Sequence, residues 1–64
     1  MTTLNVGDLM PAVVTDVGTN VIRVTANGTR GVLVGRPEVG KGDHIRVRVI
    51  ELTSDGGFRA VLLS

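Results

Sequence analysis

Apolar and polar residues alternate with a period of two along most of this chain, and no stretch carries the period of a helix. The clearest run is Lys41 to Leu52. Ile45, Val47 and Val49 point one way and Arg46 and Arg48 the other, the pattern of a strand with one face in a core and one cationic face outside. Gly40, Gly42 and Asp43 open the run with a turn, because they accept φ angles and local side-chain bonds that other residues resist. The same pattern occurs earlier: Gly7 to Val17 lies over Gly42 to Leu52 without a gap, matching the glycine, the aspartate and several later apolar positions. Two strands therefore start from the same turn.

In chain order, Leu9 to Val17 is the first strand, with Met10, Ala12 and Val14 on one face and Leu9, Val13 and Val17 on the other. Neither face is clearly polar, which predicts burial on both sides. Pro11 cannot donate a ladder hydrogen bond, so it belongs at an edge, a bulge or the strand's start. A long, bent strand shared by both halves of a barrel satisfies both facts. Gly18 to Asn20 reverses the chain, and Val21 to Thr25 is the second strand. Asn27-Gly28 is the pair that best tolerates the positive φ angles of a two-residue hairpin turn, and Arg30 to Val34 returns as the third strand. Gly35 to Gly42 is a loop with room for at most one helical turn. His44 to Leu52 is the fourth strand, Thr53 to Gly57 a hairpin loop with Asp55-Gly56 at its tip, and Phe58 to Leu63 the fifth, with Phe58, Ala60 and Leu62 inward. Five strands make an all-β protein. A small closed barrel fits better than a sandwich, which would leave long edges that 64 residues cannot cover.

The length sets one domain over residues 1–64, and chains of this size hide only about 60% of the surface their unfolded form exposes. No cysteine is present to add a disulfide, so a homo-oligomer or a bound partner is the remaining source of stability. Val61 and Leu63, outward on the last strand, are candidates for a subunit contact. The longest apolar runs, such as Ala60 to Leu63, fall far short of the roughly 20 residues that span a bilayer. The first residues lack the charged start, apolar centre and small-residue cleavage site of a secretory signal, so a cytoplasmic protein without a membrane partner is expected.

Net charge is +1, but six of the seven cations are arginine, which forks onto phosphate as lysine does not. That points to anionic ligands. Phe58 is the one aromatic residue, so the stacking platforms that grip single-stranded nucleic acid are almost missing.

The residues that carry these signals also resemble a known group. Val6-Gly-Asp before the first strand, Asn27-Gly28, Gly31 to Val34, Gly40 to Asp43 followed by Ile45 to Val49, and Phe58-Arg-Ala60 are similar to the TRAM domain. The resemblance covers nearly the whole chain and implies a small, five-stranded OB-type barrel that binds RNA. Related OB barrels, including the RNA-binding repeats of the largest small-subunit ribosomal protein and the one-domain initiation factors, match the two Gly-Asp turns almost as well. The short segment between the third and fourth strands favours the TRAM branch. Where such repeats carry aromatics around the first hairpin, this chain has Val17, Thr19 and Val21, which leaves contacts to the nucleic-acid backbone through arginine.

Arg46 and Arg48 share a strand face about 7 Å apart, near the spacing of successive phosphates. A solvated face that keeps the sheet soluble is the alternative. Arg23 and Arg30 flank one hairpin, on the surface where OB folds hold their ligands. Arg36 and Lys41 lie in a glycine-containing loop whose main-chain N–H groups could add to an anion site. His44 is the only histidine and has no partner for a metal site; a structural role is expected. Asp8 and Asp43 occupy equivalent turn positions, where each can accept backbone N–H bonds. No nucleophile and base fall at a convincing spacing, and no phosphate-loop or dinucleotide fingerprint occurs, so neither an enzyme nor a cofactor is expected.

Two readings follow. One is a barrel that binds RNA, with single-stranded DNA as a second candidate, through Arg23, Arg30, Arg36, Arg46 and Arg48 with weak sequence preference. Such a barrel would act as an RNA chaperone or as an accessory to translation or RNA modification. The other is a protein-interaction or assembly module that pairs through a sheet edge or its terminal strand.

Overall fold

Five strands form where the period-two runs lie: β1 (Leu9–Val17), β2 (Ile22–Ala26), β3 (Thr29–Leu33), β4 (His44–Leu52) and β5 (Phe58–Leu62). In this computed structural model, residues 4–35 and 37–63 are described. The strands close into a barrel in the order β1-β2-β3-β5-β4, antiparallel throughout except for the parallel β3–β5 pair. This is the small closed barrel that the alternation predicts, and the five-stranded OB-type barrel that the resemblance implies. Inward positions of all five strands meet in one core: Met10, Ala12 and Val14, Ile22, Val24 and Ala26, Leu33, Val47 and Val49, Phe58 and Ala60. No buried polar or charged side chain is present among the described residues.

β1 and β4 do start from the same turn. The Asn5 N–H donates to Asp8 Oδ2 at 2.9 Å while the Asp8 N–H donates to the Asn5 carbonyl at 3.1 Å. The Gly40 N–H donates to Asp43 Oδ2 at 2.8 Å while the Asp43 N–H donates to the Gly40 carbonyl at 3.0 Å. Between each pair sits a glycine in the left-handed region, Gly7 at φ 95° and Gly42 at φ 91°, where a side chain would be strained.

The offset of 35 between these turns (42 minus 7) runs on through the ladder they open. Adding it to one side of the β1–β4 register and subtracting it from the other exchanges Leu9↔Arg48 with Val13↔His44 and Met10↔Val47 with Ala12↔Ile45, and leaves Pro11↔Arg46 in place. The register slips at equivalent points too, between Val14 and Asp16 in one half and between Val49 and Glu51 in the other. The β1–β2 and β4–β5 hairpins are thus related by a pseudo-two-fold axis through the Pro11–Arg46 pair. β3 lies outside this symmetry and closes the ring.

Pro11 fits this arrangement. Bonds from β1 to β4 use even-numbered residues, as the bond from the Val14 N–H to the Asp43 carbonyl and that from the Val49 N–H to the Asp8 carbonyl fix. The nitrogen of Pro11 therefore points to the other flank, where pairing with β2 begins only at Val13. One strand serves two neighbours in succession, and the residue without a donor falls before the second ladder begins.

Several expectations need correction. Burial of β1 on both faces does not occur: Leu9 is 62% exposed, Val17 45%, and Val13 is half-buried, because nothing packs on the outside of a single closed sheet. β2 begins at Ile22 and not Val21, whose carbonyl accepts the Gly18 N–H in the reversal at 2.8 Å. β2 and β3 reach Ala26 and Thr29 because Asn27 (φ 52°) and Gly28 (φ 77°) are both left-handed and need only two residues to turn. Leu62, expected inside, is half-buried near the barrel's end. β5 pairs with both β3 and β4, which leaves no open flank on this strand for a partner to extend.

The closing seam contains one tight contact. Gly31 and Phe58 are Cα partners across the parallel seam, and a Cβ on Gly31 would lie 2.4 Å from two carbons of the Phe58 ring. Replacing Gly31 by alanine therefore forces the ring or the strand to move, and an overpacked core of this kind loses about 1–3 kcal/mol. Urea unfolding is expected to report that loss in Gly31→Ala, and a smaller one when the same change is made in a Phe58→Leu background. Equal losses in both backgrounds would show that the ring is not what the glycine accommodates.

Candidate nucleic-acid interface

Outward positions of β2 and β3 carry the first pair of candidate residues. Arg23 is the Cα partner of Val32, and Arg30 is that of Thr25, so the two arginines are diagonal neighbours on one exposed face. They line an open groove of about 990 Å³ that runs from Thr15 and Asp16 on β1 across β2 and β3 to the Thr53–Gly57 loop. Its walls are mainly polar in type: hydroxyls from Thr15, Thr25, Thr29 and Thr53, and the backbone of Gly28, Gly56 and Gly57. The hydroxyls and glycines were not singled out from the sequence. Their signal was there in the spacing, because Thr25 follows Arg23 by two on one strand and so must share its face.

The groove is less cationic than its arginines suggest. Asp16 is the Cα partner of Arg23, and Asp55 stands at the loop, so two carboxylates accompany two guanidinium groups. Neither carboxylate forms an ion pair with them; among the described residues the one ion pair is Glu51–Arg59, 3.3 Å apart and exposed on both sides. Arg23 and Arg30 keep their forks available to a ligand.

The loop at the groove's end is held by its own polar groups. The Thr53 hydroxyl donates to Asp55 Oδ1, the Gly57 N–H donates to both Thr53 Oγ1 (3.1 Å) and Asp55 Oδ1 (3.2 Å), and the Gly56 N–H donates to the Thr53 carbonyl at 3.2 Å. Gly56 takes φ 89° to complete the turn. The Thr53 hydroxyl and then the Gly57 N–H hold the Asp55 carboxyl below the usual carboxylate range.

Arg46 and Arg48 are not part of this groove. Both are exposed on β4, which is separated from β2 by β1 and from β3 by β5. The five arginines therefore do not form one site: Arg23 and Arg30 are together, Arg46 and Arg48 are together elsewhere, and Arg36 lies outside the described residues. Of the main-chain donors expected beside Lys41, two are already engaged: the Gly40 N–H bonds to Asp43 and the Gly42 N–H to the Val14 carbonyl at 2.7 Å. His44 is exposed opposite Val13, and among the described residues no group of three or more His, Asp or Glu could hold a metal ion.

The lowered pKa of Asp55 makes a pH prediction. The ionised Asp55 carboxylate stabilises the loop at pH values above its unfolded pKa, and the contribution disappears as pH falls through the lower folded value. Thermal unfolding followed below about pH 4 is expected to show a shallower fall in midpoint for Asp55→Asn than for the parent. If the variant keeps the full acid dependence, Asp55 is not what holds the loop.

No family model matches the chain, and no curated protein matches it either. Solved structures do share its fold. A crystal structure assigned as an exosome complex RNA-binding protein superposes with a TM-score of 0.77 at 19% identity, over 95% of this chain and 44% of the other. The solution structure of GSP13 from Bacillus subtilis superposes with a TM-score of 0.72 at 19% identity, over 94% of this chain and 55% of the other. The chain thus spans about half the length of each. It has the fold of a small OB-like barrel found within larger chains.

Proposed function

We propose that this barrel is an RNA-binding module, not an enzyme, and that it holds a single strand in the groove between β2, β3 and the Thr53–Gly57 loop. The observation that carries this reading is the placement of Arg23 and Arg30, free of ion pairs among the described residues, on the β2–β3 face where OB folds seat oligonucleotides. The hydroxyls of Thr15, Thr25 and Thr29 beside them suit sugar and phosphate oxygens, which position a strand without reading its sequence. The RNA-binding name of one fold neighbour is consistent with this. Phe58, the one aromatic ring, is buried in the core, so bases find no stacking platform and sequence preference is weak. A TRAM-like role as an RNA chaperone or as an accessory to translation or RNA modification follows from such contacts. Strand addition by a protein partner fits less well, because β5 has neighbours on both sides.

The test is a titration of single-stranded and structured RNA, with single-stranded DNA alongside, at several salt concentrations. Affinity is expected to fall steeply with salt. Arg23→Ala combined with Arg30→Ala is expected to weaken all sequences alike and to lower the salt slope by about one for each phosphate that an arginine no longer neutralises. Absence of binding by the parent protein at low salt would overturn the proposal.

A further inference from the structure

The arginines of β4 stand in an environment unlike that of the other cations. Arg23 has Asp16 as its cross-strand partner, and Arg59 has Glu51, its ion-pair partner; these two pairs are equivalent under the pseudo-two-fold relation and belong to the repeated hairpin. Arg46 and Arg48 have no acidic partner on either flank. Across the β1 ladder they face Pro11 and Leu9. Toward β5, Arg48 faces Val61, and the Leu63 N–H donates to the Arg46 carbonyl at 2.9 Å. Neither forms an ion pair among the described residues.

Symmetry separates what the fold requires from what it does not. The positions equivalent to Arg46 and Arg48 are Pro11 and Val13, so the barrel accepts an imino acid and a half-buried valine at the same places in its other half. Two arginines whose Cα atoms are about 7 Å apart, with apolar residues on both flanks, carry a charge that no cross-strand neighbour compensates. Neither is among the residues that line the groove, and their strand is adjacent to neither β2 nor β3.

We propose that Arg46 and Arg48 form a second phosphate-backbone site, independent of the groove, so that one barrel holds two nucleic-acid strands at once. The proposal takes its ligand class from the RNA-binding reading, but its geometry stands apart from that reading. Two strands on one particle 30 × 21 × 17 Å are held at high local concentration, and complementary strands so held anneal faster than free ones. Bridging of this kind needs neither base readout nor an aromatic ring.

Stoichiometry and annealing test it. An RNA of about four nucleotides, at the short end of what one OB fold engages, is titrated into the protein at low salt. Two are expected to bind per chain, and one after either double replacement, Arg23→Ala with Arg30→Ala or Arg46→Ala with Arg48→Ala. In a fluorescence assay with complementary labelled 20-mers, a length of about 20 being ample to pair stably, the parent is expected to accelerate annealing several-fold. Each double variant is expected to lose that acceleration while still binding single strands. Urea unfolding of both variants checks that these exposed replacements leave the fold intact. One RNA per chain, removed by the groove pair alone, would overturn the second site and leave the proposed function standing. No binding by the parent would overturn that function itself. Unchanged annealing in the β4 variant would overturn bridging.

Discussion

The barrel closes where the Phe58 ring packs against a residue that has no side chain. β3 and β5 are the two strands brought together from distant parts of the chain in parallel, and their first matched pair is Gly31 and Phe58. Phe58 is 1% exposed and is the largest of the fully buried side chains. A Cβ at position 31 would overlap carbons of the ring, so the ring or the strand would have to shift. The other core residues are valine, alanine, isoleucine, leucine and methionine, small or flexible enough to adjust. The one rigid side chain sets how close the closing strands come.

Around that contact the chain repeats itself. Paired turns at Asp8 and Asp43, matched ladders, matched register slips and matched acid–arginine pairs make two hairpins of similar build, and each turn is fastened by the same reciprocal pair of bonds. In each half the register slips where a strand leaves the central β1–β4 ladder to pair with its own hairpin partner, which is where a bend is needed to roll the sheet into a barrel. Most of the architecture is therefore specified twice. Only β3, with its glycine, is specified once.

The strands of this fold were legible in the sequence because alternation with period two and turn residues such as Asn27-Gly28 and Gly42-Asp43 are local signals. So was the repeat, as a gapless match of Gly7 to Val17 on Gly42 to Leu52. What could not be read is which strands become neighbours. Period two places Arg46 and Arg48 outward, and Arg23 and Arg30 outward, but says nothing of the strands that separate them; that depends on the non-local β1–β4 and β3–β5 ladders. Nor does it distinguish an apolar residue facing a core from one facing water, which is why Leu9 and Val17 read as buried. The threonines of the groove were hidden for a different reason: hydroxyls carry no charge to draw notice until the fold gathers them beside two arginines.

The β3–β5 seam is three residue pairs long, extended by the bond from the Val34 N–H to the Ala60 carbonyl at 2.8 Å. Every other ladder in the ring has four or more pairs. In ladder length the seam is thus the shortest joint of the ring. Gly31, Val32 and Phe58, which belong to the seam, also line the groove. A nucleic-acid strand held there as proposed would cross the joint and act as a splint, tying occupancy of the groove to how tightly the ring stays shut.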